Sequence, residues 1–141
     1  MGVTIKSKNK SIDMGCGGFH NLRTKVAELT SKDIYEHYCS LKYAPLFGEE
    51  RTQFFEEYDK KIVELAEKHK GKYNKILDFL YESDISGKMT YGTCKKIWEI
   101  IKDYDDNILY GYVGRPDCAK FKDFKEIIKD CVDAKTKLIW Y

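Results

Sequence analysis

The two ends of this 141-residue chain alternate between apolar and polar side chains, whereas the middle repeats apolar residues at helical spacing. Residues 3–7, 11–14 and 137–141 have the pattern of short strands. Strands at both termini with helices between them predict a small antiparallel sheet that joins the termini and is covered by a helical layer. We therefore expect an α+β fold in a single domain, residues 1–141, because no linker, repeat or low-complexity tract interrupts the chain.

About five helices are predicted between the terminal strands. The clearest spans residues 49–70, where Phe54, Tyr58, Ile62 and Leu65 form an apolar stripe. Helical spacing also covers residues 19–30, 31–41, 73–82 and 119–134, and a segment that begins after Thr90. Residues 83–89 are interpreted as a turn around Gly87.

Charge and composition exclude several classes of function. The formal net charge is +2, from 25 basic and 23 acidic side chains that are closely interleaved, which disfavours a dedicated duplex-DNA binder. No apolar run approaches the roughly 20 residues that span a bilayer, and the N-terminus lacks a secretory signal, so we expect a cytoplasmic protein that does not contact membranes. The five cysteines are widely spaced and odd in number, which favours reduced thiols.

The first candidate site is a glycine-rich segment, residues 15–18, placed between a predicted strand and a predicted helix. A glycine turn that leads into a helix lets backbone N–H groups approach an anion, and the helix dipole favours negative charge there. His20, Asn21 and Arg23 would stand beside this turn, and the ring of Phe19 could stack on a base. The alternative is a tight turn that needs positive φ and binds nothing. The predicted ligand-binding residues are Gly15, Gly17, Gly18, Phe19, His20, Asn21 and Arg23.

A second candidate segment is residues 110–117. Tyr110 and Tyr112 offer aromatic faces, Gly114 offers backbone access, and Arg115 offers a guanidinium that could hold a phosphate. The alternative is a bent strand followed by a helix N-cap at Asp117. The two segments would form one pocket only if the fold brings them together.

Catalytic and metal sites find little support in the sequence. Residues 82–89 imitate part of a calcium-binding loop, but the twelfth position is Thr93 instead of glutamate and Lys88 adds positive charge. We therefore expect no metal and no cofactor. A hydrolase acting on nucleotides would need a general base near the glycine segments, for which His20 is the candidate; no catalytic set is predicted.

The chain resembles small proteins of unknown role encoded by phages and prophages of Gram-positive bacteria. The residues that carry the resemblance are 2–9, 11–15 and 17–19 at the N-terminus and 111–117 near the C-terminus. The resemblance implies a counter-defence factor that either binds a host protein or sequesters a signalling nucleotide.

Two main hypotheses follow for the function. The first is a non-enzymatic binding protein that sequesters a phosphorylated small ligand, such as a signalling nucleotide, between the glycine segments. The second is an inhibitor that binds a host defence protein through an exposed aromatic surface, for which Tyr43, Phe47 and Tyr104 are the candidates. A small hydrolase comes third, and assembly into a homo-oligomer is left open.

Overall fold

The computed structural model describes residues 2–82, 86–104 and 121–141, and this part of the chain has the expected α+β architecture. It contains six α-helices and a four-stranded antiparallel sheet. None of the described helices is long and apolar enough to cross a lipid bilayer. The elements follow one another as β1 (Gly2–Lys6), β2 (Ser11–Gly15), α1 (Cys16–Thr30), α2 (Lys32–Cys39), a 3-10 turn (Ser40–Tyr43), α3 (Glu49–Lys68), α4 (Asn74–Tyr81), β3 (Gly87–Met89), α5 (Tyr91–Ile101), α6 (Phe121–Ala134) and β4 (Leu138–Trp140).

The sheet joins the two ends of the chain. Its strand order is β2-β1-β4-β3, and every neighbouring pair is antiparallel. The C-terminal strand β4 therefore lies beside the N-terminal strand β1, as the alternation at both ends predicts. Strand β3 corrects the interpretation of residues 83–89 as a turn only, because Gly87–Met89 pairs with Leu138–Trp140. Three residues are too few to show a strand period, so the sequence carried no signal for it.

One face of the sheet is buried beneath the helices. Val3, Ile5, Met14, Leu138 and Trp140 all point to this face, as the two-residue period of their strands requires, and each is at most 6% exposed. Burial of an aliphatic or aromatic side chain of this size stabilises a fold by about 1.5–3 kcal/mol. The rings that pack under the sheet belong to Phe19, Phe79, Phe124 and Trp140.

The glycine-rich segment does not form the predicted turn. Strand β2 ends at Gly15 and helix α1 begins at Cys16, so the strand passes into the helix without a connecting loop. Gly17 and Gly18 lie in the first turn of α1. Glycine permits a left-handed backbone but does not require one, and here the helical conformation is adopted instead.

Helix α3 is long but only lightly packed against the protein. Of its 20 residues, only Tyr58 and Leu65 are buried. Its C-terminal end is held by Asp33 of α2, whose carboxylate lies 2.7 Å from Lys68 Nζ and 3.0 Å from His69 Nε2. The chain then leaves the helix through Gly71 at φ 76°, a left-handed conformation that glycine adopts readily after a helix.

We expect Gly87→Ala to destabilise the protein, because a Cβ at this position would lie 2.2 Å from Trp140 Cζ2. Trp140 is 1% exposed and closely surrounded, so the clash would force strand or ring to move, at a cost of about 1–3 kcal/mol. Urea denaturation measures this cost. Gly92→Ala is the matched control, since its Cβ would meet the mobile end of Lys75 and α5 would gain helix propensity. Equal stability of Gly87→Ala and the wild type would contradict this packing.

We also expect Asp33→Asn to loosen the C-terminal end of α3 and to lower the free energy of unfolding by about 1–2 kcal/mol at pH 6. Partial burial acts to raise the pKa of Asp33, but hydrogen bonds from Lys68, Ser31, His69 and the Ile34 amide outweigh it and hold that pKa well below its usual range. The contribution is therefore complete above the pKa of an unfolded aspartate, about 3.9, and is lost at lower pH.

Urea denaturation at pH 6 and at pH 3.5 tests both parts of this expectation, since the difference from the wild type must shrink at the lower pH. Glu36→Gln is the control, because Glu36 forms an exposed ion pair with Lys32 that contributes little. A difference that stays constant with pH would contradict the role of the Asp33 carboxylate.

Candidate functional site

Helix α1 turns two of the predicted ligand-binding residues into the protein. Phe19 is fully buried and Arg23 is 3% exposed, because both belong to the stripe that α1 buries together with Leu22 and Val26. Arg23 lies four residues after Phe19 and therefore on the same face of the helix. The ring of Phe19 packs against Phe79 and Trp140, so its faces are not open to a base in this conformation.

The guanidinium of Arg23 lies among three aromatic rings. Its Cζ is 4.3 Å from the ring centroid of Phe19, 5.3 Å from that of Phe79 and 5.4 Å from that of Trp140. Its Nη1 donates a hydrogen bond of 2.9 Å to the carbonyl oxygen of Glu82. Cation–π contacts in a desolvated setting stabilise such a charge by about 2 kcal/mol. Arg23 therefore joins α1 to the end of α4 and to the sheet.

A cavity of about 370 Å³ lies next to this guanidinium. It brings Arg23 together with His20, the second predicted site residue that lines it. The imidazole of His20 stacks on Tyr38 with ring centroids 5.5 Å apart, and its Nδ1 is 3.5 Å from the Tyr38 hydroxyl. The other lining residues come from α2, α3 and α4 and their flanks: Leu41, Phe55, Tyr58, Asp59, Ile62, Leu80, Tyr81 and Glu82.

Behind the cavity wall, His37 connects α2 to α3 and α4. Its Nε2 is 3.1 Å from the carbonyl oxygen of Tyr58, and its Nδ1 is 2.7 Å from the hydroxyl of Tyr81. Because a carbonyl oxygen only accepts, Nε2 carries a hydrogen and donates it to Tyr58. Burial lowers the pKa of His37 and so favours its neutral form. Burial raises the pKa of Tyr58 to about 12 and also raises that of Tyr81, so both hydroxyls stay protonated.

The other predicted site residues that the structure describes do not line this cavity. Gly15, Gly17 and Gly18 lie at the junction of β2 and α1, and Asn21 is exposed on α1. The whole second segment, with Tyr110, Tyr112, Gly114 and Arg115, lies outside the described residues. A pocket shared by the two glycine segments therefore stays a prediction.

Three further features emerge from the structure. Among the described residues, three cavities of about 370, 610 and 630 Å³ border Ile62 of α3, and the cavity at His20 is the smallest of these. Leu46 and Phe47, in the loop before α3, are more than three-quarters exposed; Phe47 was predicted to be exposed, whereas Leu46 was missed. Four lysines from distant parts of the chain also lie near one another on the outer face of the sheet: Lys6, Lys8, Lys88 and Lys137.

Among the described residues no group of three His, Cys, Asp or Glu side chains is placed to hold a metal ion.

Comparison of this chain with protein-family models, with curated proteins and with solved structures finds no match.

We expect His37 to make the stability of the protein depend on pH. Burial lowers the pKa of His37 below its usual value of about 6.5; the hydrogen bond to the Tyr58 carbonyl and the charge of Asp59 oppose this shift, and Lys61 adds to it. The unfolded chain therefore takes up a proton first as the pH falls, and stability declines below about pH 6.5.

Urea denaturation of the wild type and of His37→Gln at pH 7.5 and pH 5.5 measures this contribution. The wild type should lose more stability between the two pH values than the variant, because glutamine does not titrate. His20→Gln serves as the control, since His20 is exposed and lies outside the hydrogen bonds to Tyr58 and Tyr81. Parallel losses in the wild type and His37→Gln would contradict a neutral, buried His37.

Proposed function

We propose that this chain is a protein-binding module whose contact surface is the end of the 3-10 turn and the loop that leads from it into α3. The observation that carries the proposal is the exposure of three large side chains within five residues: Tyr43 at 72%, Leu46 at 83% and Phe47 at 80%. Apolar groups exposed this fully and this close together are typical of interaction surfaces. We call Tyr43, Leu46 and Phe47 the apolar loop.

The apolar loop has a defined shape. Arg51 Nη1 donates a hydrogen bond of 2.9 Å to the carbonyl oxygen of Pro45, and the Ala44 amide donates to Leu41. Gly48 ends the loop at φ 84°, a conformation that residues with a side chain rarely adopt. A loop held in this way loses less conformational entropy when it binds, which favours affinity.

The partner that fits this surface is a protein with an apolar pocket. Full burial of Leu46 and Phe47 would contribute about 1.5–3 kcal/mol each, as the few central residues of an interface commonly do. Lys42, Glu49 and Arg51 flank the loop with charges of both signs, which suits the polar rim of such an interface. If a phage encodes this chain, as its resemblance implies, the partner is a protein of the bacterial host and the module acts as an inhibitor in counter-defence.

Sequestration of a phosphorylated small ligand by the glycine segments has less support. The ring of Phe19 is enclosed, and the guanidinium of Arg23 already contacts Glu82 and three rings. A hydrolytic function has less still: among the described residues, the side-chain partner of the His20 ring is Tyr38, and no carboxylate hydrogen bonds to it. Of the three residues predicted for the aromatic surface, Tyr104 does not belong to it, because Tyr104 packs against Phe121 and the core. Tyr43 and Phe47 are exposed.

The test is photocrosslinking in the host cell, with a photoreactive amino acid in place of Phe47. A partner protein identified in this way should bind the purified wild type and should bind the double variant Leu46→Ser/Phe47→Ser at least about a hundredfold more weakly, since two apolar anchors of about 1.5–3 kcal/mol each are lost. Both side chains are exposed, so the variant should keep the wild-type melting temperature.

Val63→Ser is the matched control, because Val63 is 57% exposed on α3 and lies outside the apolar loop. Its affinity for the partner should stay within about twofold of the wild type. Crosslinks only to a second copy of the chain, or equal losses in Val63→Ser and the double variant, would contradict the proposal.

A further inference from the structure

The outer face of the sheet carries a row of positive charge. Side chains alternate between faces, so the residues opposite the core are Thr4 and Lys6 of β1, Lys88 of β3 and Ile139 of β4. Lys6 and Lys88 are exposed. Both pair in register with Ile139, from opposite sides. Two strand spacings of roughly 4.8 Å place their backbones about 10 Å apart across the sheet.

Two more lysines extend this row. Lys8 and Lys137 line a shallow hollow of about 240 Å³ together with Lys6 and Ile139. Lys137 also borders the larger cavity that Lys88 lines. We call Lys6, Lys8, Lys88 and Lys137 the lysine row.

The charges of the lysine row are not neutralised within the described part of the protein. None of the four ammonium groups lies within 4.0 Å of a described carboxylate. Asp13, on the outer side of β2, accepts a hydrogen bond of 2.7 Å from Thr4, and Asp78 and Glu82 line the larger cavity. Four cations gathered in a chain whose formal charge is only +2 repel one another and favour a ligand with several negative charges.

An exposed aromatic ring lies beside the row. Tyr141 is 58% exposed and pairs with Thr4 through two backbone hydrogen bonds, of 2.8 and 3.0 Å. It lies two residues from Ile139 and therefore on the same face, about 7 Å further along the strand direction. A flat ring next to a line of cations offers a stacking surface for an unpaired base whose phosphates contact the lysines.

The shape of the face favours a polymer over a single nucleotide. Sites for small molecules are usually concave, with volumes of about 300–1,000 Å³. The hollow beside Lys6 is smaller, and the cavity of about 630 Å³ that Lys88 and Lys137 border is also lined by the carboxylates of Asp78 and Glu82, which disfavour an anionic ligand inside it. Lysine binds phosphate as a point charge, so affinity on an open face grows with the number of phosphates engaged. A base stacked within a duplex would not present its face to Tyr141, which selects single strands.

We propose that the outer face of the sheet binds single-stranded nucleic acid, with phosphates on the lysine row and a base stacked on Tyr141. The site shares no residue with the apolar loop, so the proposal does not depend on the protein-binding function. It also accounts for a group of exposed lysines that has no carboxylate partner among the described residues of a nearly neutral chain.

The test is fluorescence anisotropy with a labelled 12-nucleotide single strand, as DNA and as RNA, over a range of salt concentrations. Contacts to about four phosphates predict a slope of log affinity against log salt near −3, from about −0.7 per contact on single strands. Lys6→Gln/Lys88→Gln should weaken binding at least tenfold at low salt and reduce that slope by about 1.4.

Lys60→Gln/Lys96→Gln is the matched control, because it changes the net charge equally at exposed positions on α3 and α5. It should bind within about twofold of the wild type. Tyr141→Ala should weaken binding about tenfold without changing the salt slope, whereas Tyr141→Phe should keep wild-type affinity because the stacking ring remains. Melting temperatures of all variants confirm that they fold.

Several results would overturn the proposal. These are no binding of the single strand at low salt, equal losses in the two double-lysine variants, or a 12-base-pair duplex that binds as tightly as the single strand. Competition by inorganic pyrophosphate or AMP at the same concentration as the oligonucleotide would assign the face to a small phosphate ligand and would also overturn it.

Discussion

The cation of Arg23 beneath the sheet is the interaction on which the rest of the structure depends. It is buried, and a buried charge is tolerated only where its surroundings compensate for lost hydration. Here the rings of Phe19, Phe79 and Trp140 and the carbonyl oxygen of Glu82 do so. Because these groups come from α1, α4 and β4, the compensation exists only once the helices and the C-terminal strand have assembled. Arg23 therefore couples the packing of α1 and α4 to the addition of the C-terminal strand β4 to the sheet.

Periodicity predicted most of the fold. The terminal strands and the helical segments were located correctly, because their apolar residues face a common core at periods of two and 3.6. The glycine-rich segment was interpreted wrongly as a turn, since glycine allows many conformations and its neighbours decide among them. Strand β3 was missed because its three residues are too few to show a strand period, and because the close contact of Gly87 with Trp140 joins positions far apart in the chain.

The candidate sites were less predictable than the fold, for a physical reason. Arg23 was interpreted as an exposed phosphate ligand from its charge, although its position four residues after Phe19 already placed it on the buried stripe. Two residues of the apolar loop, Tyr43 and Phe47, were predicted to be exposed, because the short segment that holds them has no helical or strand pattern that would bury them. The lysine row was not foreseen, since positions 6, 8, 88 and 137 become neighbours only through the strand order.

The two proposed surfaces belong to elements that differ in how firmly they are packed. The lysine row stands on strands β1, β4 and β3, which hold one another by backbone hydrogen bonds and a shared core, so its charges keep a fixed spacing. The apolar loop precedes α3, whose only buried side chains are Tyr58 and Leu65, and which is also held by the His37 hydrogen bond to the Tyr58 carbonyl and by Asp33 at its C-terminal end. A helix with few buried side chains can shift as a unit at small cost, because few apolar contacts break. A loop of defined shape that moves with such a helix suits a shaped protein pocket, and a rigid row of cations suits the regular phosphates of a polymer.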